Sequence, residues 1–160
     1  MTITIGVDPG GSGAIAATRD RQLIFVKDMP VHGGIISAPG VTDILDYSLK
    51  AWRSSQGHFH HTPPAWVEDV HSMPRQGVAS SFKFGQAHGT VLGVLGALRI
   101  PVHLVTPAKW KRDLGLGSDK AKALEMARRL FPTAELSLKR HIGRAEALLI
   151  AEWGRRNILK

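Results

Sequence analysis

Three short runs of apolar and β-favouring residues open the chain: TITIGVD (2–8), SGAIAAT (12–18) and QLIFVKD (22–28). Turn chemistry separates them, Gly10-Gly11-Ser12-Gly13 after the first and Arg19-Asp20-Arg21 after the second, which predicts three sequential antiparallel strands. Residues 29–40 (MPVHGGIISAPG), with Pro near both ends and a Gly pair, read as a loop. A helical apolar spacing takes over in 41–55. A second loop (56–64) leads to a short strand, AWVEDV (65–70), and then to an irregular basic loop, HSMPRQG (71–77). Over 78–100 the apolar positions return to a helical period with a small-residue face of Gly85, Gly89, Gly93 and Gly96, which predicts close packing of helix on sheet. VHLVT (102–106) is a fifth strand, and Pro107 is placed to begin the helical PAKWKRDLG. Ser118 is the expected N-cap and Pro132 the stop of a helix over 118–132, and 143–157 forms the closing helix. This order predicts an α/β fold with a five-stranded mixed sheet, three antiparallel strands and then two parallel ones, flanked by helices on both faces.

A chain of 160 residues is long enough for one domain (1–160) with one ordinary core, burying about two-thirds of its unfolded surface. It has no cysteine, so disulfide frameworks and thiolate metal sites are excluded. Any metal must be held by Asp, Glu, His or carbonyl oxygen, which favours a hard ion. The amino terminus has neither a charged leader nor a long apolar run, and no stretch approaches about 18 apolar residues. These features predict a cytoplasmic protein of a bacterium or a phage-infected cell, with no membrane partner. The formal net charge of +8 predicts a polyanionic partner, the alternative being charge kept for solubility.

Carboxylates sit where the pattern calls for apolar or turn residues. Asp8 ends the first strand and Glu68 the fourth. If those strands are parallel neighbours, both acids emerge at one sheet edge, outside the carboxyl ends of the strands, where α/β proteins bind ligands. Two such acids repel unless a cation lies between them, which points to Mg²⁺ or Mn²⁺. Glu146 begins an otherwise apolar helix, GRAEALLIAEW, with Leu149, Ile150 and Trp153 as its helical neighbours, a poor place for a solvated acid and a good one for a ligand.

The segments IGVDPGGSGAIA, VEDVHSMPRQGVASSFKFGQAHG, VTPAKWKRDLGLGSDKAKA and HIGRAEALLIAEW resemble, in order, the four signature segments of RuvC-type Holliday-junction resolvases of the phage and organellar branches. The resemblance runs from about residue 3 to 154. It implies an RNase H-like fold, a homodimer, and hydrolysis of DNA strands at four-way junctions with two metal ions per site. It further implies that Asp8 bridges the ions and that Glu68 and Glu146 complete the acidic set. The family's further ligand shortly before the helical acid has no acidic counterpart here, because 142 and 143 are Ile and Gly, so His141 is the nearest candidate. Lys111 and Lys120 match basic residues flanking the family's GLGS-like turn and are candidates for positioning the scissile phosphate and stabilising its developing charge. Lys109 joins them as a DNA contact.

His71, Met73 and Arg75 lie where the family places residues that probe the junction, or they belong to a variable surface loop. Phe82 and Lys83 match the start of a helix near the DNA and the dimer interface, although core packing also suits Phe82. HFHH (58–61), in a Pro-bounded loop, reads as solvated histidine rather than a metal cluster. DPGGSG also resembles the phosphate loop of actin-like ATPases. Those proteins need a second Asp-Gly half, which these 160 residues lack, so no nucleotide cofactor is expected. A non-catalytic branched-DNA-binding protein is the remaining alternative.

Overall fold

The computed structural model describes residues 2–56, 62–71 and 77–158. Its elements in chain order are β1 (Ile3–Asp8), β2 (Ala14–Arg19), β3 (Gln22–Asp28), β4 (Val31–His32), β5 (Ile35–Ile36), α1 (Ala38–Gln56), β6 (Ala65–Glu68), α2 (Val78–Ala97), β7 (Val102–Val105), α3 (Pro107–Asp113), α4 (Lys120–Leu130) and α5 (Ile142–Asn157). A 3-10 turn, Lys139–His141, leads into α5.

Five strands form one sheet in the order β3-β2-β1-β6-β7. β1, β2 and β3 are antiparallel neighbours, whereas β6 runs parallel to β1 and β7 parallel to β6. The predicted mixed sheet is therefore observed, with β1 at its centre. Ile3 to Val7 are all buried, which explains why β1 reads as a nearly continuous apolar run rather than an alternating one: both faces of the sheet are covered.

Strand alternation sorts the side chains onto the two faces. Ile5, Val7, Ile15, Ala17, Ala65 and Val67 pack with Leu45, Leu49, Val91 and Leu95 of α1 and α2. Ala14, Ala16 and Val105 pack on the other face with Trp110, Leu124, Leu148 and Leu149 from α3, α4 and α5. The single expected core is thus two clusters separated by the sheet. α5 lies so close to β1 that a methyl group added at Gly6 would overlap the backbone of Ala147 and Ala151. Even-numbered positions of β1 therefore face α5, and Asp8 leaves the sheet on that side.

Several expectations change. The 29–40 segment holds a two-strand hairpin, β4 and β5, turned at Gly33 and Gly34 with φ of 58° and 78°, the left-handed pair that a tight hairpin needs. The next helix begins at Ala38 rather than 41. Asp119, not Ser118, caps α4, its Oδ1 accepting from the Ala121 N–H at 2.8 Å. The glycine face of α2 does not pack on the sheet. Val91, Val94 and Leu95 do, while an added methyl at Gly85, Gly89, Gly93 or Gly96 would meet nothing within 4 Å.

Candidate active site

The β1–β6 register pairs Val7 with Val67, so the next residue on each strand, Asp8 and Glu68, reaches the same sheet edge. Both follow the alternation onto the α5 face, where Glu146 stands in the second turn of that helix. The condition set on the sequence, parallel and adjacent strands ending in acids, is met.

Asp8 is held closely. The Gly10 N–H donates to its Oδ1 at 3.2 Å, and a methyl at Gly13 would overlap its backbone carbonyl and approach its carboxyl carbon at 2.8 Å. The turn glycine leaves the space in which the carboxylate sits. Burial, followed by repulsion from Glu68 and Glu146, pushes the Asp8 carboxyl from 3.8 up to about 7, against the pull of the Gly10 N–H and Lys111.

Glu68 is buried and accepts a 2.9 Å hydrogen bond from the Trp110 indole N–H. Burial raises its pKa as well; the Trp110 bond opposes that, Glu146 adds to it, and the charges of Lys111 and Lys120 oppose it. Glu146 is 8% exposed, and its Oε1 lies 2.8 Å from Lys111 Nζ. That buried oxygen therefore has an ion-pair partner but no aligned hydrogen bond. Lys111 Nζ also sits 5.0 Å from the centre of the Trp110 ring.

One ammonium facing three coupled carboxylates leaves an excess of negative charge in a poorly solvated place. The donor set is oxygen throughout, one oxygen lacks an aligned donor, and two acids resist ionisation, which together suit a hard divalent cation. Among the described residues no three His, Asp or Glu side chains are gathered around one point as a finished site. Closure on an ion would therefore need small side-chain movements, starting with Glu146 leaving Lys111.

The remaining predicted residues fall into three places. Lys120, the first residue of α4, acts on Glu68. His141 is buried at the start of α5, with Nδ1 accepting a 3.4 Å bond from the Leu138 N–H. Its nearby charges are Asp28 and Glu135 rather than the acidic triad, but it lines a cleft with Gly11, Ser12 and Gly13, the turn that clamps Asp8. Lys109 lies outward, 3.4 Å from Asp113 and 5.7 Å from the centre of the Trp153 ring. His71 is exposed and 3.2 Å from Asp69, Phe82 is 71% exposed, and Lys83 is exposed. Met73, Arg75 and the HFHH tract lie outside the described residues.

Two features of the site escaped the sequence. Trp110 reads as an ordinary core aromatic, yet its N–H orients Glu68. Arg144 makes a paired contact with Asp28, at 2.6 and 2.7 Å, that fixes the start of α5 against β3 and so sets where Glu146 stands.

The sheet order and the flanking helices are those of an RNase H-like α/β fold. Within it, the structure matches that of Thermus thermophilus RuvC in complex with a Holliday junction substrate, with a TM-score of 0.65, 20% identity, 98% of this chain covered and 96% of the other. A second Thermus thermophilus RuvC structure gives a TM-score of 0.60 at 21% identity, with coverages of 97% and 96%. The chain thus has the RuvC fold from end to end. In sequence it is 37% identical over 159 residues to the chloroplastic Holliday junction resolvase MOC1 of Chlamydomonas reinhardtii. That match covers 86% of this chain but only 18% of the longer relative. No protein-family model matches the chain.

Proposed function

We propose that the chain is a RuvC-type, metal-dependent endonuclease that resolves four-way DNA junctions, with residues 1–160 as one nuclease domain. The observation that carries this reading is the edge formed by Asp8, Glu68 and Glu146, three coupled acids joined by one lysine at the carboxyl ends of parallel strands. The RuvC and MOC1 similarities point the same way.

Asp8, Glu68 and Glu146 would hold two Mg²⁺ or Mn²⁺ ions, with His141 as the further ligand; ligation through Nε2 would need the ring proton on Nδ1, which lies 3.9 Å from Glu135 Oε1, in place of the bond that Nδ1 accepts from the Leu138 N–H. Such ions supply an activated water and offset the charge that develops on the leaving oxygen of a phosphodiester. The chain does the rest. β1 and β6 fix the backbone of two acids, Trp110 orients Glu68, and the Gly10–Gly13 turn keeps room beside Asp8. Lys111, released from Glu146, and Lys120 would neutralise the scissile phosphate; the Lys111–Glu146 pair and the effect of Lys120 on Glu68 support this reading. Lys109, His71, Phe82 and Lys83, together with Met73 and Arg75, would contact the DNA.

Two symmetric cuts need two sites related by a two-fold axis, so the active species is a homodimer. The stripe of Val78, Gly85, Gly89, Gly93 and Gly96 supports α2 as its interface. Helical spacing puts these residues opposite the buried face of α2, and Val78 is 87% exposed.

The test is product analysis on a labelled four-way junction and a linear duplex of the same sequence, with Mg²⁺. Paired nicks in opposing strands of the junction, and an intact duplex, are expected. Equal cutting of both substrates, or none, contradicts the proposal.

A further inference from the structure

The end of the sheet away from the acids carries a cluster of arginines. The β1–β2 register pairs Asp8 with Ala14 and Ile3 with Arg19, so Arg19 stands beside the start of β1, five residues or about 17 Å from the acidic edge. Arg155 and Arg156 lie in the last turn of α5, nine and ten residues beyond Glu146, or about 15 Å along the helix axis. Arg19, Asp20, Arg21, Gln22 and Arg155 line an open concavity there of about 700 Å³.

Glu152 organises this cluster. Its carboxylate is 1% exposed and accepts from Arg155 Nε and Nη2 at 2.8 and 3.0 Å and from Arg156 Nε at 2.8 Å, while Arg21 Nε lies 3.5 Å away. Burial alone would raise its pKa, but the bonds from Arg155 and Arg156 hold it below the usual carboxylate range, so it stays ionised. Three guanidiniums exceed what one carboxylate needs, and Arg19 adds a fourth. Against Glu152 and Asp20, the four arginines leave two positive charges in excess. Arg21 and Arg156 face Glu152 through Nε, which leaves their Nη nitrogens as donors to a ligand, on side chains 60% and 41% exposed. The turn that carries Arg21 is fixed as well. The Thr2 N–H donates to Asp20 Oδ1 at 2.8 Å, and the Asp20 N–H donates to Thr2 O at 2.9 Å.

We propose that this arginine concavity grips the phosphate backbone of a second DNA duplex, one that is not being cut. This rests on the endonuclease reading above, because a chain that works on junctions meets duplex DNA on every side. Guanidinium forks held in preset directions suit phosphate oxygens. The class of partner follows from the lining, which contains no apolar side chain. A protein partner needs an apolar centre of contact with aromatic anchors, whereas a duplex backbone is held by charge and polar donors. Position separates this duplex from the substrate. The strand to be cut belongs at the carboxyl ends of β1 and β6, and the arginines lie at the opposite end of β1. A protein seated on a junction therefore holds a neighbouring duplex too, through phosphate contacts that carry no base preference.

A capture experiment tests this. Asp8→Asn protein, which leaves junctions uncut, is loaded with Mg²⁺ onto bead-tethered four-way junctions, unbound protein is washed away, and a labelled linear duplex is added. The loaded beads should retain the duplex. Arg21→Ser with Arg156→Gln, which keeps Arg155 on Glu152, should lower retention by about tenfold or more. The pair should also lower the log–log slope of retention against salt by about two, one for each phosphate contact removed. Arg21→Glu alone, at an exposed turn residue, should lower retention as well. In the native background these variants should nick junctions at the native rate and keep native circular dichroism. No retention on beads that hold protein, or equal retention by every variant, overturns the assignment and leaves the endonuclease reading standing. So does displacement of the duplex by millimolar inorganic phosphate at constant ionic strength, or by an acidic peptide at lower concentration than unlabelled duplex. The first result would assign the arginines to a free anion and the second to a protein. A native chain that neither binds nor nicks junctions overturns both readings.

Discussion

Trp110 shows how one side chain sets the chemistry of another. Its N–H is the main influence holding the Glu68 carboxyl down against burial. Trp110→Phe keeps the ring and removes the donor, at a cost of roughly 1.5–3 kcal/mol for a bond to a charged group. The acid limb of the pH–activity profile should therefore move up. An unchanged limb would mean that Glu68 does not titrate in the reaction. Asp8 carries a consequence for stability. Its folded pKa, about 7, exceeds its ordinary 3.8, so the folded state holds the proton longer than the unfolded state does. In metal-free protein its contribution is fully present below about pH 4 and is lost as pH rises through about 7, amounting to as much as about 4 kcal/mol. Asp28 and Glu152 are shifted the other way, so their effects fall outside that window, whereas the raised Glu68 adds to the decline and the lowered His88 opposes it. Chemical denaturation from pH 4 to 8 with EDTA should show a net decline, and Asp8→Asn should make it shallower. A native chain whose stability is flat or rising across that window would refute the electrostatic picture of the site. The acids themselves were legible because a charge at the end of an apolar run is conspicuous. Trp110 was not, since an aromatic in a short helix looks the same whether its N–H meets water or a buried acid.

At the scale of elements, α2 separates what periodicity reveals from what it leaves out. The spacing of Gly85, Gly89, Gly93 and Gly96 marks one face of a helix, but small residues suit close packing on a sheet and close packing on a second helix equally well. The structure turns that face outward, and only Val91, Val94 and Leu95 are buried. Gly89→Lys places a charged chain at the middle of the stripe without touching the core. Sedimentation should then show a monomer with native circular dichroism, whereas an unchanged dimer mass would move the interface elsewhere. The cap of α4 is a smaller case. Ser118 and Asp119 are both capping residues, and only the backbone path assigns the role to Asp119. The hairpin of β4 and β5 reads as loop in the sequence because two-residue strands are too short for alternation to register.

Across the whole molecule, sheet order converts distant sequence positions into one edge. Residues 8, 68 and 146 come together because β6 lies parallel beside β1 and α5 crosses the same face. The order of strands and helices was legible from turn residues and Pro and Gly punctuation, and so was the mixed sheet. The meeting of His141 with Asp28 and Glu135 depended on the docking of α5 through Arg144, which no spacing encodes. The excess of 21 basic over 13 acidic residues acts at this scale too, favouring a polyanion, and the DNA proposed above would then bind without depending on the acidic edge. Binding and cutting should therefore separate cleanly. The most direct measurement compares the native chain and Asp8→Asn on one labelled four-way junction, recording Kd and nicking with Mg²⁺ side by side. The account predicts that the substitution leaves Kd within about threefold and abolishes the nicks, because it removes a metal ligand and no phosphate contact. Nicking that survives in Asp8→Asn at a rate near that of the native chain would contradict it.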